Sequence, residues 1–189
     1  MGRSPSAVKV SPAGRLWLLR HGRAEERDSA RLADRDRRLT PAGVKRTTLV
    51  SHRLVALGHG GGRGVSSGLR RADETAAIAC SAGLLLGWHP DRRLAPGGDL
   101  LALLRDWMMC VPVQQDEEGP GQQVGSLLAP AAPLCLVGHE PQLGELLDWL
   151  TGSPQGGLRK AGFAVLTLSG PPARGCARLE ALFRPRDLL

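Results

Sequence analysis

Arg15-Leu16-Trp17-Leu18-Leu19-Arg20-His21-Gly22 is the most telling segment of the chain. Residues 15–19 form a short apolar run that stops abruptly at Arg-His-Gly. A strand with one wet face alternates apolar and polar residues; an unbroken run of this length reads as a strand covered on both faces, as in a parallel sheet. The carboxyl end of such a strand opens into a loop, and here the loop begins with a guanidinium and an imidazole. Pro133-Leu134-Cys135-Leu136-Val137-Gly138 repeats the pattern and stops at His139-Glu140-Pro141.

On either side of these runs, strands and helices alternate. Residues 1–14 are rich in small residues and read as a flexible N-terminal arm, leaving 15–189 as one domain. Residues 21–38 are densely charged and read as a loop. Thr40-Pro41 supplies a helix start, Thr as N-cap and Pro at the first helical position. Val44, Thr48, Leu49, His52, Leu54 and Val55 then suggest a helical stripe ending before Gly58. His59–Gly64 is glycine-rich and reads as flexible, and Val65-Ser66-Ser67 as the end of a short strand. Leu69–Leu86 reads as a long helix with an alanine face (Ala72, Ala76, Ala77, Ala79, Ala82) able to approach a sheet closely. Trp88–Leu94 suggests a strand. Asp99–Met109 suggests a helix carrying Leu100, Leu103, Leu104 and Trp107 on one side. Residues 111–133 hold several Pro, Gly and Gln and read as a mobile loop. A helix over Pro141–Leu150 and two closing strands, Phe163–Leu168 and Ala177–Phe183, complete the chain. This alternation predicts an α/β fold with a mainly parallel central sheet.

Composition narrows the function classes. The chain has 189 residues, enough for one domain, with a net charge of +7. Lys9, Lys45 and Lys160 are the only lysines; every other basic residue is arginine. Such bias follows a GC-rich genome as well as attraction to anions. Aromatic residues are 3% and the arginines are scattered, so nucleic acid is not the expected partner. No apolar run approaches the ~18 residues that span a bilayer, and no signal sequence is evident, so no membrane partner is expected. Cys80, Cys110, Cys135 and Cys176 form no CxxC pair; Cys80, Cys110 and Cys135 read as small core residues, reduced in a cytoplasm.

In parallel sheets, ligands sit at the carboxyl ends of strands. Three such ends are polar here: Arg20-His21-Gly22, Ser66-Ser67 with Arg71 beyond, and Gly138-His139-Glu140-Pro141. Arginine holds phosphate oxygens bidentately and stays charged at any working pH. A neutral imidazole attacks phosphorus, and a second imidazole stabilises the transferring oxygens. His52, His59 and His89 read as incidental.

These residues resemble the histidine phosphatase superfamily. Leu19-Arg20-His21-Gly22 is similar to its signature, and Arg37-Arg38-Leu39-Thr40 with Gly43 to its R-x-L-T-x-x-G element. Ser66-Ser67-Gly68-Leu69-Arg70-Arg71-Ala72-Asp73-Glu74-Thr75-Ala76 resembles S-S-P-L-x-R-A-x-x-T-A, and Val137–Pro141 resembles V-G-H-x-P. Leu94–Asp99 resembles the L-x-P-x-G-D stretch of the small SixA branch, the phosphohistidine phosphatases. The likeness spans about residues 15–169.

The resemblance implies a phosphoglycerate mutase-like, three-layer α/β/α fold and a phosphatase that needs neither metal nor cofactor. It makes His21 the nucleophile, transiently phosphorylated. It makes Arg20 and Arg71 the clamp on the phosphoryl oxygens and His139 the second histidine of the pocket. Arg37 would stand at the rim. The family's S-S-P-L proline is Gly68 here, which frees the loop carrying Arg71. The Glu of mutase-like members has no counterpart in Leu94-Ala95-Pro96, which favours phosphohistidine over phosphate esters as substrate. Asp99 and Glu140 remain candidate acids, Asp99 reading first as an N-cap. The expected partner is a phosphorylated protein or a small phosphorylated substrate. The alternatives are a phosphomonoesterase acting on a metabolite and a non-catalytic phosphate-binding module.

Overall fold

A computed structural model describes residues 14–27, 33–109 and 132–189. The expected N-terminal arm, Cys110 and nearly all of the expected loop at 111–133 lie outside these residues.

Strands β1 (Arg15–Arg20), β2 (Gly62–Ser66), β3 (Leu85–Pro90), β4 (Leu134–Gly138), β5 (Phe163–Leu168) and β6 (Ala177–Phe183) form one sheet in the order β3-β2-β4-β1-β5-β6. The pairs β3·β2, β2·β4 and β4·β1 are parallel, while β1·β5 and β5·β6 are antiparallel. The two apolar runs are thus central neighbours, Leu16 facing Leu134 and Arg20 facing Gly138.

Alternation along these strands divides the core. Leu16, Leu18, Leu134 and Leu136 face helices α3 (Leu100–Met109) and α4 (Gln142–Thr151). Trp17, Leu19, Cys135 and Val137 face α1 (Pro41–Ala56) and α2 (Arg70–Ser81). Helices therefore cover both faces, giving the α/β/α layering. Each fully buried leucine of these strands contributes roughly 1.5–3 kcal/mol. Within α3, Leu100, Leu103 and Leu104 are buried and Trp107 packs beside them.

The helix start at Thr40-Pro41 forms as the sequence indicates, with the Thr40 hydroxyl accepting from the Gly43 amide at 3.0 Å. The stripe beyond it is different. α1 buries Gly43, Thr47, Val50, Ser51 and Leu54, while Val44 and Leu49 are exposed. Small residues face inward because the first turn rests on the backbone of the 22–23 segment. A Cβ on Gly43 would overlap the Arg23 carbonyl, and one on Gly22 would overlap the Thr47 hydroxyl.

Three more expectations are corrected. The helix expected over 69–86 spans Arg70–Ser81; Gly83 turns the chain at φ +82°, and Leu84 and Leu85, the first residue of β3, enter the core. Of its alanine face, Ala72, Ala76 and Ala79 are buried and Ala77 is exposed. The strand expected at 88–94 starts at Leu85, ends at Pro90 and gives way to a 3-10 turn at Arg92–Leu94. The glycine-rich segment before Val65 is largely strand: Gly62 and Gly64 are buried in β2 because Trp17 and Trp88 occupy the space a Cβ would need. A short helix α5 (Pro185–Leu188) follows β6. Cys135 is buried, whereas Cys80 is half-buried. No helix among the described residues is long and apolar enough to cross a membrane.

Candidate active site

The carboxyl ends of β1, β4 and β2 lie side by side. The His21 amide donates to the Gly138 carbonyl at 3.0 Å, and the Ser67 amide to the Val137 carbonyl at 3.2 Å. These bonds carry the sheet's ladder one residue past the strands, so the loops leave the edge in register. They bring His21 and His139 together, with ring centroids 4.9 Å apart and planes inclined by 50°. Both rings are buried.

His21 Nδ1 stands 2.7 Å from the Gly22 carbonyl oxygen. A carbonyl only accepts, so the proton sits on Nδ1 and Nε2 keeps its lone pair. Burial, then the proximity of His139, lower the His21 pKa to about 3. Burial and then the charge of Arg71 lower that of His139 to about 4. Both rings are therefore neutral at neutral pH. Gly22 is held in turn by its amide, which donates to the Thr75 hydroxyl at 3.1 Å.

His139 Nε2 lies 2.6 Å from the Ser67 hydroxyl oxygen, which also accepts from the Leu69 amide at 3.3 Å. With the hydroxyl proton directed to Nε2, the His139 proton sits on Nδ1. That Nδ1 is buried without a partner, as are Nε of Arg20 and Nε of Arg71. A buried polar group left unpaired costs roughly 1–3 kcal/mol. Three donors without a protein acceptor thus belong to His139, Arg20 and Arg71.

The guanidinium tips are anchored behind these atoms. Arg20 donates to the Leu158 carbonyl at 2.7 Å. Arg71 donates to the Asp34 carbonyl at 2.7 Å and to its carboxylate at 3.0 Å. Arg37 donates to the other oxygen of the Asp34 carboxylate at 2.8 Å and to the Glu25 carbonyl. Arg37 thus meets the cluster through Asp34. Burial opposes the Asp34 charge, but hydrogen bonds from Arg37, Arg71 and Arg27 outweigh it and hold the carboxyl well below the usual range.

The other carboxylates are committed elsewhere. Asp99 caps α3, accepting from the Ala102 amide at 2.9 Å. Glu140 accepts from the Leu158 amide at 2.9 Å, which secures the peptide that receives Arg20. Gly68 has φ +73°, a backbone that proline, fixed near −65°, cannot adopt. The loop leading to Arg71 is therefore built on glycine in this chain.

Sequence reasoning passed over three residues of this network. Ser67 and Thr75 lie inside the Ser66–Ala76 motif, which assigns them no role, and Asp34 lies inside a stretch that reads only as charged loop. The spacing of Asp34 to Arg37, on one turn, was the available signal for the last. His52 and His89 are exposed, and His59 packs among Trp17, Phe163 and Phe183.

The α/β/α fold brings two neutral histidines and two arginines to one edge of its sheet, a set of groups suited to an anionic phosphoryl ligand. Residues 16–95 match the model of the histidine phosphatase superfamily (branch 1). A protein of Picosynechococcus sp. (strain ATCC 27264 / PCC 7002 / PR-6), itself uncharacterized, is 37% identical over 175 residues, covering 88% of each chain. The protein histidine phosphatase SixA, solved with tungstate, superposes with a TM-score of 0.71 at 20% identity, over 93% of this chain and 99% of that one. A mycobacterial glucosyl-3-phosphoglycerate phosphatase superposes with a TM-score of 0.58 at 24% identity, over 89% and 98%. The chain belongs to the histidine phosphatase superfamily, which supports a phosphatase activity.

Proposed function

We propose that the protein removes a phosphoryl group from phosphohistidine on a protein, through a phosphorylated His21. The observation that carries this reading is the neutral His21, its Nδ1 proton fixed on the Gly22 carbonyl, beside three buried and unpartnered nitrogens. In the first step the Nε2 lone pair attacks phosphorus in line, and the bond from phosphorus to the substrate nitrogen breaks. Arg20 Nε, Arg71 Nε and His139 Nδ1 donate to the equatorial oxygens as charge spreads over them. In the second step water attacks, the bond from phosphorus to Nε2 breaks, and the water proton leaves with phosphate. Arg37 supports the clamp from behind, through Asp34. The mechanism uses no metal and no cofactor.

The choice of phosphohistidine rests on the leaving group. An ester leaves as an alkoxide and calls for a general acid. A phosphorylated imidazole protonated on its other nitrogen leaves as a neutral ring. Asp34, held as an anion by arginine, is a poor proton donor, and Asp99 is occupied in capping α3. A second reading, a phosphomonoesterase acting on a metabolite, draws on the likeness to the glucosyl-3-phosphoglycerate phosphatase. A cytoplasmic site of action goes with either reading.

The test is phosphate release in EDTA from a phosphohistidine protein and from p-nitrophenyl phosphate, by wild type and His21→Ala. Turnover of the phosphoprotein that His21→Ala abolishes supports the proposal. Preference for the ester supports the second reading. Binding of phosphoprotein without release from either substrate points to a non-catalytic module.

A further inference from the structure

Arg46 of α1, Arg159 and Lys160 before β5, and Arg184, Pro185 and Arg186 after β6 line a cleft of about 330 Å³. Its place follows from the topology. β5 runs antiparallel to β1 with Leu19 facing Phe163, so the residues before Phe163 lie at the carboxyl end of β1. β6 runs antiparallel to β5 with Phe183 facing Phe163, so the chain after Phe183 returns to that same edge. The cleft thus opens on the sheet edge that carries His21, one to two strands along, or about 5–10 Å by strand spacing. Leu158, whose carbonyl receives Arg20, directly precedes Arg159.

Every charged residue in the lining is a cation. Arg186 pairs with Asp187 at 3.4 Å, both side chains being exposed. Among the described residues, Arg46, Arg159, Lys160 and Arg184 make no ion pair with a carboxylate. Cations gathered within about one screening length repel one another, and an anion placed among them relieves that repulsion. Four of the five are arginine, whose planar fork takes phosphate oxygens two at a time. The cleft's volume matches a small ligand, for which pockets of ~300–1,000 Å³ are usual, whereas a protein face needs ~800 Å² of contact.

We propose that this cleft is a second anion site, distinct from the His21 pocket, which binds a compact polyanion bearing linked phosphates. The inference does not depend on the substrate of the His21 site. Calorimetric titration with tripolyphosphate, with ATP and with hexaglutamate, free of divalent metal, tests it in wild type, Arg46→Gln/Arg184→Gln and Arg71→Gln. The double variant is expected to bind at least about tenfold more weakly, with an unchanged melting temperature and unchanged turnover at His21. Arg71→Gln is expected to retain binding. Equal affinity for the two ligands assigns the site to a bare phosphate chain; tighter binding of ATP assigns it to a nucleotide. Three results overturn the proposal: no binding by wild type; binding lost in Arg71→Gln and kept in the double variant; or equal affinity for hexaglutamate, which would make the cleft a contact for an acidic polypeptide.

Discussion

Asparagine in place of Asp34 keeps the shape of the side chain and removes the charge that stands between Arg71 and Arg37. In the wild type one carboxylate oxygen is 3.0 Å from Arg71 and the other is 2.8 Å from Arg37. The Arg71 side chain is 5% exposed and that of Asp34 is 32% exposed. Asparagine offers one acceptor and turns an NH2 group toward a guanidinium, so one bond is lost and two donors face each other. Hydrogen bonds to charged groups contribute roughly 1.5–3 kcal/mol, and solvent at the Asp34 side trims that figure. The net loss expected is about 2 kcal/mol, or about 4–8 °C in melting temperature for a chain of this size. The loss extends to catalysis because Arg71 is no longer held against His139. A fall of about 10- to 100-fold in kcat/KM corresponds to roughly 1.4–2.7 kcal/mol of lost transition-state binding. Calorimetric melting and steady-state kinetics on one preparation measure both quantities. Full activity with an unchanged melting temperature would refute the claim that Asp34 orients Arg71.

Three further outcomes follow from the same geometry. The pKa of His21, about 3, and that of His139, about 4, lie below the unfolded value near 6.5. As pH falls below about 6.5 the unfolded chain binds protons that the folded one refuses, so stability declines toward pH 4. The unfolding free energy from urea titrations should drop by roughly 2 kcal/mol per histidine between pH 7 and pH 5, and His139→Gln should lose about half of that dependence; a flat profile would contradict the burial of neutral rings. Ser67→Ala removes the partner of His139 Nε2 and should lower kcat about tenfold at nearly constant KM, whereas a change confined to KM would assign Ser67 to substrate binding instead. Gly43→Ala drives a methyl into the Arg23 carbonyl and should cost about 1–3 kcal/mol in chemical denaturation, with activity falling alongside; a neutral result would mean that α1 is not seated on the loop bearing His21.

The parts of the fold most legible in the sequence are those where burial repeats along the chain. Leu16–Leu19 and Leu134–Val137 are apolar without a break because helices cover both faces of β1 and β4. Leu100, Leu103 and Leu104 mark α3 for the same reason. β2 and α1 were harder to read because their tightest contacts use residues with little or no side chain. Gly62 and Gly64 read as flexibility but are close approach to Trp17 and Trp88, and Gly43 and Thr47 carry no apolar signal although they seat α1. At the candidate site, His21 and His139 announced themselves at the ends of buried strands. Asp34, Ser67 and Thr75 act through the groups they hold, so their importance depends on contacts 37 to 72 residues away in the chain. No local pattern encodes such contacts.

In the proposed mechanism His21 carries the phosphoryl group on Nε2, because Nδ1 is committed to the Gly22 carbonyl. Rapid quenching into alkali during turnover, followed by peptide mapping and chromatographic separation of the two phosphohistidine isomers, tests it most directly. A single labelled peptide containing His21, phosphorylated on Nε2 and absent from His21→Ala, is the expected result. Label on Nδ1, label on His139, or turnover with no phosphorylated intermediate would contradict it.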